Sequence, residues 1–415
     1  MIKSPHWPTT DNSNPINLGL ERVVEALAKL GNPHHNLPPV IHVAGTNGKG
    51  STIAFLRAML EASGKKCHVY TSPHLVEFNE RIVLAGKEIS DEFLNEVIEE
   101  TKSKCDHIPL TFFEGTTVAA LLAFSKVKAD FVLLETGLGG RLDATNVIAK
   151  PLMTIITPIS YDHMEYLGET IAEIALEKAS IIKENSFCIV SRQSEEALNV
   201  IKEFAKSKNA ELSILDHDFS YQINNDHNFI YRDDVLGAGF PRPSLRGTHQ
   251  YMNAATAIRA ATKIGIDKKF IKTGIKAATW RARLQKIADN IYLDGGHNAE
   301  AGEIIKDFVL AENFKKRKHN IAMIGMLKTK DFASFIKNLA PAFNEIYAVP
   351  IPDTDHRDTL EIKKVCQELG VKCRAFEFFS EAYSTACNGQ VAANNRVVIC
   401  GSLYLAGSVL EKNLG

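Results

Sequence analysis

The sequence lacks several features that would place it in a specialised class of protein. Lys and Arg number 48 against 49 Asp and Glu, so the formal net charge is −1 and gives the whole chain no electrostatic reason to bind nucleic acid or an anionic membrane. No apolar run approaches the roughly 18 residues that a membrane-spanning helix requires. The segment 1–8 lacks the apolar core of a signal peptide. We therefore expect neither a nucleic-acid partner nor a membrane association.

Paired cysteine spacing is also absent. The seven cysteines are scattered singly and include no C-x-x-C pair. An odd, dispersed set in a chain of 415 residues indicates reduced thiols and a reducing compartment, so we expect a cytoplasmic protein. The chain contains no repeat of fixed period and no low-complexity tract.

Helical stretches and short strand-like runs alternate along almost the whole chain. The run at 40–44 is short and β-rich, and the runs at 131–135 and 153–157 are of the buried type, without polar alternation. Such runs are typical of parallel strands that are covered by helices on both faces. We therefore predict an α/β fold built on a parallel sheet.

The same pattern restarts near Trp280, after a polar and aromatic segment at 219–245 that we interpret as a peripheral β excursion. The later strand-like runs lie at 290–294, 320–325, 345–349 and 396–400. Since domains average about 150 residues, we predict a first domain over 1–280 and a smaller α/β domain over 281–415. A ligand site is expected in the crevice between two such domains.

A glycine-rich segment at 43–51 joins a predicted strand to a predicted helix. Its glycines allow backbone N–H groups to face phosphate oxygens, and Lys49 supplies a mobile cation. The segment departs from G-x-x-x-x-G-K-[ST], because Val43 and Gly50 occupy two consensus positions and the hydroxyl arrives one residue late, at Ser51. The alternative is a glycine-rich turn with an incidental lysine. The strand–loop–helix context favours phosphate binding.

The segment AGTNGKGS at 44–51 resembles the phosphate loop of the folylpolyglutamate synthase/dihydrofolate synthase family, whose relatives are the Mur ligases. Further matching blocks follow in order: TSPHL at 71–75, NER at 79–81, TFFE at 111–114, LETGLGGRLDATN at 134–146, DH at 162–163, EKA at 177–179, MNAA at 252–255, RLQ at 283–285, LDGGHN at 293–298 and CGSLY at 400–404. The resemblance extends from about residue 16 to the C-terminus.

This resemblance implies a Mur ligase-like enzyme, with an ATP-binding P-loop domain over 1–280 and a glutamate ligase domain over 281–415. The implied reaction is ATP-dependent addition of L-glutamate to dihydropteroate and to reduced folates through an acyl phosphate. Narrower alternatives are an enzyme restricted to polyglutamylation and a Mur-type peptide ligase, the latter disfavoured by Gly50. A P-loop switch protein without ligase activity would leave the second domain unexplained. We expect a monomer acting on small molecules.

The resemblance makes Ser72, Glu135 and His163 ligands of one or two Mg²⁺ ions. Glu135 also ends a predicted strand, where ligands bind in open α/β sheets, and its carboxylate is a hard ligand. The alternatives are an ion pair between Glu135 and Arg141, a turn hydroxyl at Ser72 and a structural histidine, since imidazole seldom binds Mg²⁺.

Lys178 lies on a predicted amphipathic helix and would ordinarily be a solvated lysine. The resemblance implies that it can be carbamylated, which would convert a cation into an anionic group able to bind a second Mg²⁺. That modification requires a depressed lysine pKa, hence burial beside other positive charge.

The resemblance also assigns the remaining sites. The implied ATP-binding residues are Asn47, Gly48, Lys49, Gly50, Ser51, Asn253, Arg283 and Asp294. The implied catalytic residues are Lys49, Lys178, Asp294 and His297, and Ser402 is placed with Asp294 and His297 around the incoming glutamate. We expect Arg283, near the domain junction, to reach the phosphates, although it could instead form an interdomain salt bridge. The pair Gly295–Gly296 departs from many relatives, which have bulkier residues there.

The walls of the pterin site are predicted from the segments around 72–81 and 112–116. The assigned residues are His74, Arg81, Phe113 and Glu114. Aromatic rings can stack on a pterin, but Phe112 and Phe113 could equally pack at the start of a helix.

Overall fold

The structure is a computed structural model that describes residues 18–387 and 394–412. Two predictions concern residues outside the described ranges. One is that segment 1–8 lacks a signal peptide, and the other is that the resemblance starts near residue 16. The chain forms two compact units. The first contains residues 18–244 and 251–278, and the second contains 245–250, 279–387 and 394–412. The continuous domains 1–280 and 281–415 stay a prediction.

The first unit is built on an eight-stranded sheet with the order β4-β3-β2-β5-β1-β6-β7-β8. Its strands are β1 (Val40–Ala44), β2 (Cys67–Tyr70), β3 (Ile82–Leu84), β4 (Lys87–Glu88), β5 (Phe131–Glu135), β6 (Met153–Ile156), β7 (Phe187–Val190) and β8 (Glu211–Ile214). The six strands from β2 to β8 in this order are parallel, and β3 and β4 add an antiparallel edge that the sequence analysis did not predict. The run at 40–44 is buried at every position, as a parallel strand with both faces covered requires.

Nine helices belong to the described part of the first unit. They are α1 (Glu21–Lys29), α2 (Lys49–Ala62), α3 (Asp91–Lys104), α4 (Phe112–Lys126), α5 (Met164–Leu167), α6 (Ile171–Ala179), α7 (Glu195–Ser207), α8 (His249–Lys263) and α9 (Lys268–Ala277). One of them, α8, begins at His249, two residues before this unit resumes at Tyr251. One apolar core packs α1, α3 and α4 against the sheet, and another packs α6 and α7. The helix predicted from Ser51 begins two residues earlier, because Gly48 is its N-cap in a left-handed conformation.

The predicted β excursion is confirmed. A separate antiparallel sheet with the order β11-β10-β9 is formed by β9 (Ser220–Ile223), β10 (Phe229–Arg232) and β11 (Gly237–Phe240). Its aromatic side chains pack on one another, and Phe229 contacts Tyr251 of α8 edge to face with ring centroids 5.5 Å apart.

The second unit contains a six-stranded sheet with the order β12-β13-β17-β14-β15-β16. Its elements are β12 (Gln285–Ala288), β13 (Ile291–Leu293), α10 (Ala299–Lys315), β14 (His319–Ile324), α11 (Phe332–Leu339), β15 (Glu345–Ala348), α12 (Thr359–Glu368), β16 (Cys373–Ala375), α13 (Phe379–Cys387), β17 (Asn395–Cys400) and α14 (Leu403–Glu411). All strands but β12 are parallel. The predicted α/β class is thus confirmed in both units.

Candidate functional site

The sheet order of the first unit gathers the predicted phosphate and metal residues at one edge. β1 lies between β5 and β6, and β2 lies beside β5. Because these strands are parallel, their carboxyl ends share an edge. The loop after β1, the last residue of β5 (Glu135) and the residue Ser72 just beyond β2 therefore lie side by side. This is the edge where open α/β sheets bind ligands.

The loop after β1 has a backbone that only glycine accommodates at two positions. Gly45 has φ +145°, and a Cβ placed there would lie 1.9 Å from Thr157 Oγ1. Gly48 has φ +88°, and a Cβ there would lie 2.6 Å from Asn253 Oδ1. The loop therefore packs tightly between the end of β6 and α8. Asn253, assigned to the nucleotide from the resemblance, is buried directly against Gly48.

The segment after β6 anchors the loop through residues that the sequence analysis missed. The backbone N–H of Thr46 donates to Pro158 O at 2.9 Å. Thr46 Oγ1 donates to Ser160 O and accepts from Ser160 N, both at 3.1 Å. Asn47 Nδ2 donates to Ser160 Oγ at 3.3 Å. The only sequence signal near these residues was the matching block at 162–163. The anchoring contacts themselves could be identified only from the tertiary structure.

Two lysines converge on one carbonyl of this loop. Lys49 Nζ donates to Gly45 O at 3.1 Å and to Thr46 O at 3.4 Å, and Lys178 Nζ donates to Gly45 O at 3.2 Å. Lys178 is buried, so the alternative of a solvated lysine is wrong. Burial lowers the pKa of Lys178 to about 7, and the positive charge of Lys49 acts in the same direction. These are the burial and the neighbouring cation that carbamylation requires.

Glu135 places a buried carboxylate beside this cationic pair. Glu135 Oε1 lies 3.9 Å from Lys49 Nζ, and Glu135 Oε2 accepts a hydrogen bond from Ser72 N at 3.4 Å. Arg141, the alternative partner considered for Glu135, instead donates to Glu177 Oε1 at 2.7 Å. The structure thus brings together two of the three predicted metal ligands, and the hard oxygen of Glu135 suits Mg²⁺.

His163, the third predicted ligand, lies further along the loop after β6. It caps the short helix α5 with φ +51°, and its ring nitrogens lie 3.8 Å from Asp162 Oδ1 and 4.0 Å from Glu165 Oε1. Within residues 18–387 and 394–412, no group of three His, Cys, Asp or Glu side chains is arranged to hold a metal. The predicted trio contains only two such side chains, since its third member is Ser72, and the assignment of His163 stays a prediction.

The predicted residues of the second unit surround the turn after β13. Asp294 is buried; its carboxylate accepts from Leu284 N at 2.8 Å and from Gly296 N at 2.7 Å, while burial raises its pKa. Arg283 Nη1 donates to Ala282 O at 3.0 Å. A Cβ at Gly295 would lie 3.0 Å from Arg283 Nη1 and 2.3 Å from Leu403 Cδ2, so this glycine permits a close approach.

His297 and Ser402 flank the same turn. His297 Nδ1 lies 3.0 Å from Gly295 O. Ser402, which follows the neighbouring strand β17, is buried and caps α14 by accepting from Tyr404 N at 3.1 Å. The carboxyl ends of β13 and β17 thus bring Asp294 and Ser402 to one edge, as the resemblance implies for a glutamate site.

The predicted pterin residues divide into two kinds. Arg81 is buried, donates to His74 Nδ1 at 2.8 Å, and lies 5.4 Å from the centroid of Phe112. Burial, helped by the charge of Arg81, lowers the pKa of His74 to about 4. His74 is therefore neutral at physiological pH, and with Arg81 it forms a preorganised polar pair.

Phe113 and Glu114 lie in the first turn of α4, and both side chains contact other residues of the first unit. Phe113 lies so close to Gly137 that a Cβ there would meet its ring carbon Cζ at 2.3 Å. Glu114 forms a capping box with Thr111 and accepts from Arg22 Nη2 at 2.7 Å. Phe113 thus lines the loop after Glu135, whereas Glu114 has a structural position in the helix cap.

Comparison with known proteins gives the family of this chain. The family model for the Mur ligase middle domain matches residues 43–261, and that for the dihydrofolate synthetase C-terminal domain matches residues 279–412. A dihydrofolate synthase/folylpolyglutamate synthase of Bacillus subtilis is 34% identical over 425 residues, which cover 95% of this chain and 94% of the relative. The chain belongs to the folylpolyglutamate synthase/dihydrofolate synthase family.

Solved structures of this family have the same fold. E. coli FolC in complex with DHPP and ADP superposes with a TM-score of 0.88 at 32% identity, covering 97% of this chain and 94% of that one. The bifunctional enzyme of Yersinia pestis complexed with AMPPNP and Mn has a TM-score of 0.87 at 29% identity, covering 97% and 95%. The resemblance found in the sequence and the Mur ligase-like fold are therefore confirmed. No helix among the described residues is long and apolar enough to cross a membrane.

The close packing of the loop after β1 makes Gly45 a sensitive position in this chain. Gly45→Ala should destabilise the protein by about 1–3 kcal/mol. The new methyl group would overlap Thr157, and alanine disfavours the φ of +145° that glycine adopts at this position. It should also weaken ATP binding, since both lysines bind the Gly45 carbonyl. Urea unfolding and nucleotide titration measure the two effects.

Gly64→Ala is the matched control for this prediction. Gly64 follows α2 with φ +84° and has nothing within 4 Å of the added Cβ. It should therefore show only the cost of a left-handed alanine, about 1 kcal/mol, with unchanged nucleotide affinity. Equal effects of the two substitutions would contradict the predicted packing of the loop.

Proposed function

We propose that this member of the family is an ATP-dependent ligase that adds L-glutamate to dihydropteroate and to reduced folates. The observation that carries the proposal is the convergence of Lys49 and Lys178 on Gly45, with the Glu135 carboxylate beside them. A site with two lysine side chains, a buried carboxylate and a glycine-rich loop at a helix N-terminus suits phosphoryl transfer. Membership of the family supports the other part of the proposal, which is that L-glutamate is added to dihydropteroate and to reduced folates.

The proposed reaction activates a carboxylate before an amide forms. A carboxylate is a poor electrophile, so transfer of the γ-phosphoryl group of ATP to it gives an acyl phosphate, which the amine of glutamate attacks with release of phosphate. Lys49, with the loop residues Asn47, Gly48, Gly50 and Ser51, would bind the phosphates and stabilise the charge that spreads over their oxygens. Asn253, Arg283 and Asp294 are also proposed to contact the nucleotide.

Ser72, Glu135 and His163 are the residues proposed to hold Mg²⁺. The ion would neutralise negative charge on the phosphates. The Y. pestis relative binds Mn with AMPPNP, which supports a divalent metal beside the nucleotide. Glu135 fits this role best, since its buried carboxylate is a hard ligand already turned toward the loop.

Lys178 is proposed to be carbamylated. Carbamylation requires the neutral amine: a nitrogen–carbon bond forms with CO₂ and a proton leaves the amine. A pKa of about 7 supplies that neutral form at physiological pH. Supplying carbon-13 bicarbonate should give a carbamate carbon resonance in the wild-type protein that is absent from Lys178→Met. Its absence from the wild-type protein would remove the modification while leaving the ligase proposal intact.

The low pKa of Lys178 also predicts a pH dependence of stability. On unfolding, the ammonium pKa returns from about 7 to 10.5, so between these values the unfolded chain binds a proton that the folded chain does not. The free energy of unfolding contributed by Lys178 should therefore rise with pH across this window, by about 1.4 kcal/mol per unit. Below pH 7 both states are protonated, and the contribution becomes constant.

Comparison of two methionine variants isolates this effect. Denaturant unfolding at several pH values between 7 and 10.5 should show a smaller upward slope in Lys178→Met than in the wild-type protein. Lys202→Met, which changes an exposed lysine on α7, should keep the wild-type slope. A wild-type slope in Lys178→Met would show that Lys178 titrates normally.

Glutamate and pterin are proposed to bind different units. Asp294, His297 and Ser402 would surround the incoming glutamate at the edge formed by β13 and β17. His74, Arg81 and Phe113 would contact the pterin-bearing substrate, and Glu114 would support that wall from the helix cap.

We further propose that the enzyme acts as a cytoplasmic monomer, with an ATP-binding domain over 1–280 and a glutamate ligase domain over 281–415.

A direct assay tests the proposed function. Purified protein is incubated with ATP, Mg²⁺, L-glutamate and either dihydropteroate or tetrahydrofolate, and product masses are measured. We expect a gain of one glutamyl unit with both acceptors. A gain with tetrahydrofolate alone would restrict the enzyme to polyglutamylation, and no gain with either acceptor would overturn the ligase proposal.

A further inference from the structure

Gln193 lies between the strand β7 and the helix α7, and both ends of its side-chain amide are bonded to another segment of the chain. Gln193 Oε1 accepts a hydrogen bond from Ile159 N at 3.0 Å, and Gln193 Nε2 donates to Thr157 O at 3.0 Å. Both partners belong to residues 157–160, which follow β6 and which we call the anchor segment. Neither partner is among the residues proposed above to bind substrates or metal.

The amide of Gln193 takes the place of a strand backbone. The pairing of β6 with β7 reaches Ile156 and Val190, and Ser191 N then donates to Ile156 O at 2.9 Å. Further along, Gln193 offers one donor and one acceptor to the anchor segment through its side chain, as a neighbouring strand does through its backbone. The side chain thus continues the hydrogen-bonding of the sheet beyond the end of β7.

The backbone that carries Gln193 is held on both sides. Ser191 is fully buried, and its hydroxyl oxygen lies 2.8 Å from that of Thr256 on α8. Ser194 is the N-cap of α7, where its hydroxyl accepts from Ala197 N at 3.3 Å. Gln193 therefore bonds to the anchor segment from a fixed base.

The anchor segment also bonds to the loop after β1. Pro158 O accepts from Thr46 N at 2.9 Å and from Asn47 N at 3.2 Å. Ser160 exchanges two further hydrogen bonds with Thr46, both at 3.1 Å. Alternate residues of the anchor segment thus bond to Gln193 and to the loop, in the alternation typical of an extended chain. Gln193 is linked to the loop through this single segment.

We propose that Gln193 is a positioning residue that maintains the nucleotide affinity of the loop after β1 by bracing the anchor segment. This inference rests on the proposed function, in which that loop binds the phosphates of ATP. Without the two hydrogen bonds from Gln193, the anchor segment would lose its fixed distance from the end of β7, and Thr46 and Asn47 would move with it. Phosphate binding by a glycine-rich loop depends on where its N–H groups point, so such a shift costs affinity.

ADP binding, measured by calorimetry on the full chain, tests the proposal. Gln193→Met keeps the approximate length of the side chain but removes both hydrogen bonds, and it should raise the Kd for ADP by about 10-fold or more. Gln193→Glu keeps the acceptor for Ile159 N but places a carboxylate oxygen against Thr157 O at neutral pH. It should weaken ADP binding at least as much, and it decides the question if Gln193→Met does not fold.

Arg192→Ala is the matched control, because it changes the neighbouring side chain, which is about half exposed and pairs with Asp216 at 2.7 Å. This variant should keep the wild-type affinity for ADP. If Gln193 served stability alone, Gln193→Met would have a lower unfolding midpoint but an unchanged Kd for ADP well below that midpoint. That result would overturn the proposal.

A double-mutant cycle tests the route through the anchor segment. Thr46→Val removes the hydroxyl group that exchanges hydrogen bonds with Ser160. If Gln193 acts through this contact, Gln193→Met should raise the Kd for ADP by a smaller factor in the Thr46→Val protein than in the wild-type protein. Equal factors in the two proteins would overturn the proposal.

The wild-type measurement separates this inference from the proposed function. A wild-type protein that binds no ADP would overturn the proposed nucleotide site and this inference with it. A wild-type protein that binds ADP, together with unchanged affinity in both Gln193 variants, would overturn this inference alone. Amide hydrogen exchange of the nucleotide-free protein adds a readout that needs no ligand, since Thr46 N and Asn47 N should exchange faster in Gln193→Met. Unchanged exchange at both amides would also overturn the inference.

Discussion

Replacing Lys49 by alanine is expected to lower ligase turnover by about three orders of magnitude or more. Lys49 is the first residue of α2, and its ammonium group binds the carbonyl of Gly45 beside the Glu135 carboxylate. It is placed to bind phosphate oxygens and to stabilise charge that develops during transfer. Alanine cannot supply that charge.

The fold should survive the Lys49→Ala substitution. The side chain contributes no apolar packing to the cores, its ion pair with Glu135 is 3.9 Å long, and alanine is favourable at the start of a helix. Thermal unfolding should therefore be close to that of the wild-type protein. Lys65→Ala, which removes an exposed lysine paired with Asp130 at 3.2 Å, is the control and should keep normal turnover. Near-normal ligation by Lys49→Ala would show that the loop is not the phosphate site.

Replacing Glu135 by glutamine should lower turnover by at least about 100-fold and raise the Mg²⁺ concentration needed for half-maximal rate. Glutamine preserves the size of the side chain and can still accept the hydrogen bond from Ser72 N, so a purely structural role would largely survive. A neutral amide oxygen is a much weaker ligand for a hard cation. Ligase rate measured against Mg²⁺ concentration distinguishes the two roles.

Two further variants calibrate the result for Glu135→Gln. Glu177→Gln removes a carboxylate that pairs with Arg141 near the same loop, and it should leave the Mg²⁺ dependence unchanged. His163→Ala should cause a milder loss than Glu135→Gln, because His163 is half-exposed and imidazole is a poor Mg²⁺ ligand. Unfolding midpoints exclude folding defects. A Glu135→Gln protein with wild-type rate and Mg²⁺ dependence would place the metal elsewhere.

Features that depend on short stretches of chain were predicted well from the sequence. The strand at 40–44, the glycine-rich loop after it and the β excursion at 219–245 were all found, because burial, turn chemistry and periodicity are local signals. The antiparallel edge strands β3 and β4 were missed, since three and two residues are too few to show a period. The start of α2 was placed two residues late, because Gly48 caps it through a left-handed backbone that residue identity alone does not reveal.

The amino-acid sequence by itself determined the α/β class, the glycine-rich loop after β1 and the family, because these follow from local patterns and from short blocks that match the family in order. Only the tertiary structure decided that Lys178 is buried and that it shares the Gly45 carbonyl with Lys49. The physical reason is that burial and charge–charge distances depend on which strands and helices become neighbours. The sheet order β5-β1-β6 brings residues 45, 135 and 157 to one edge, and no spacing along the chain encodes that order.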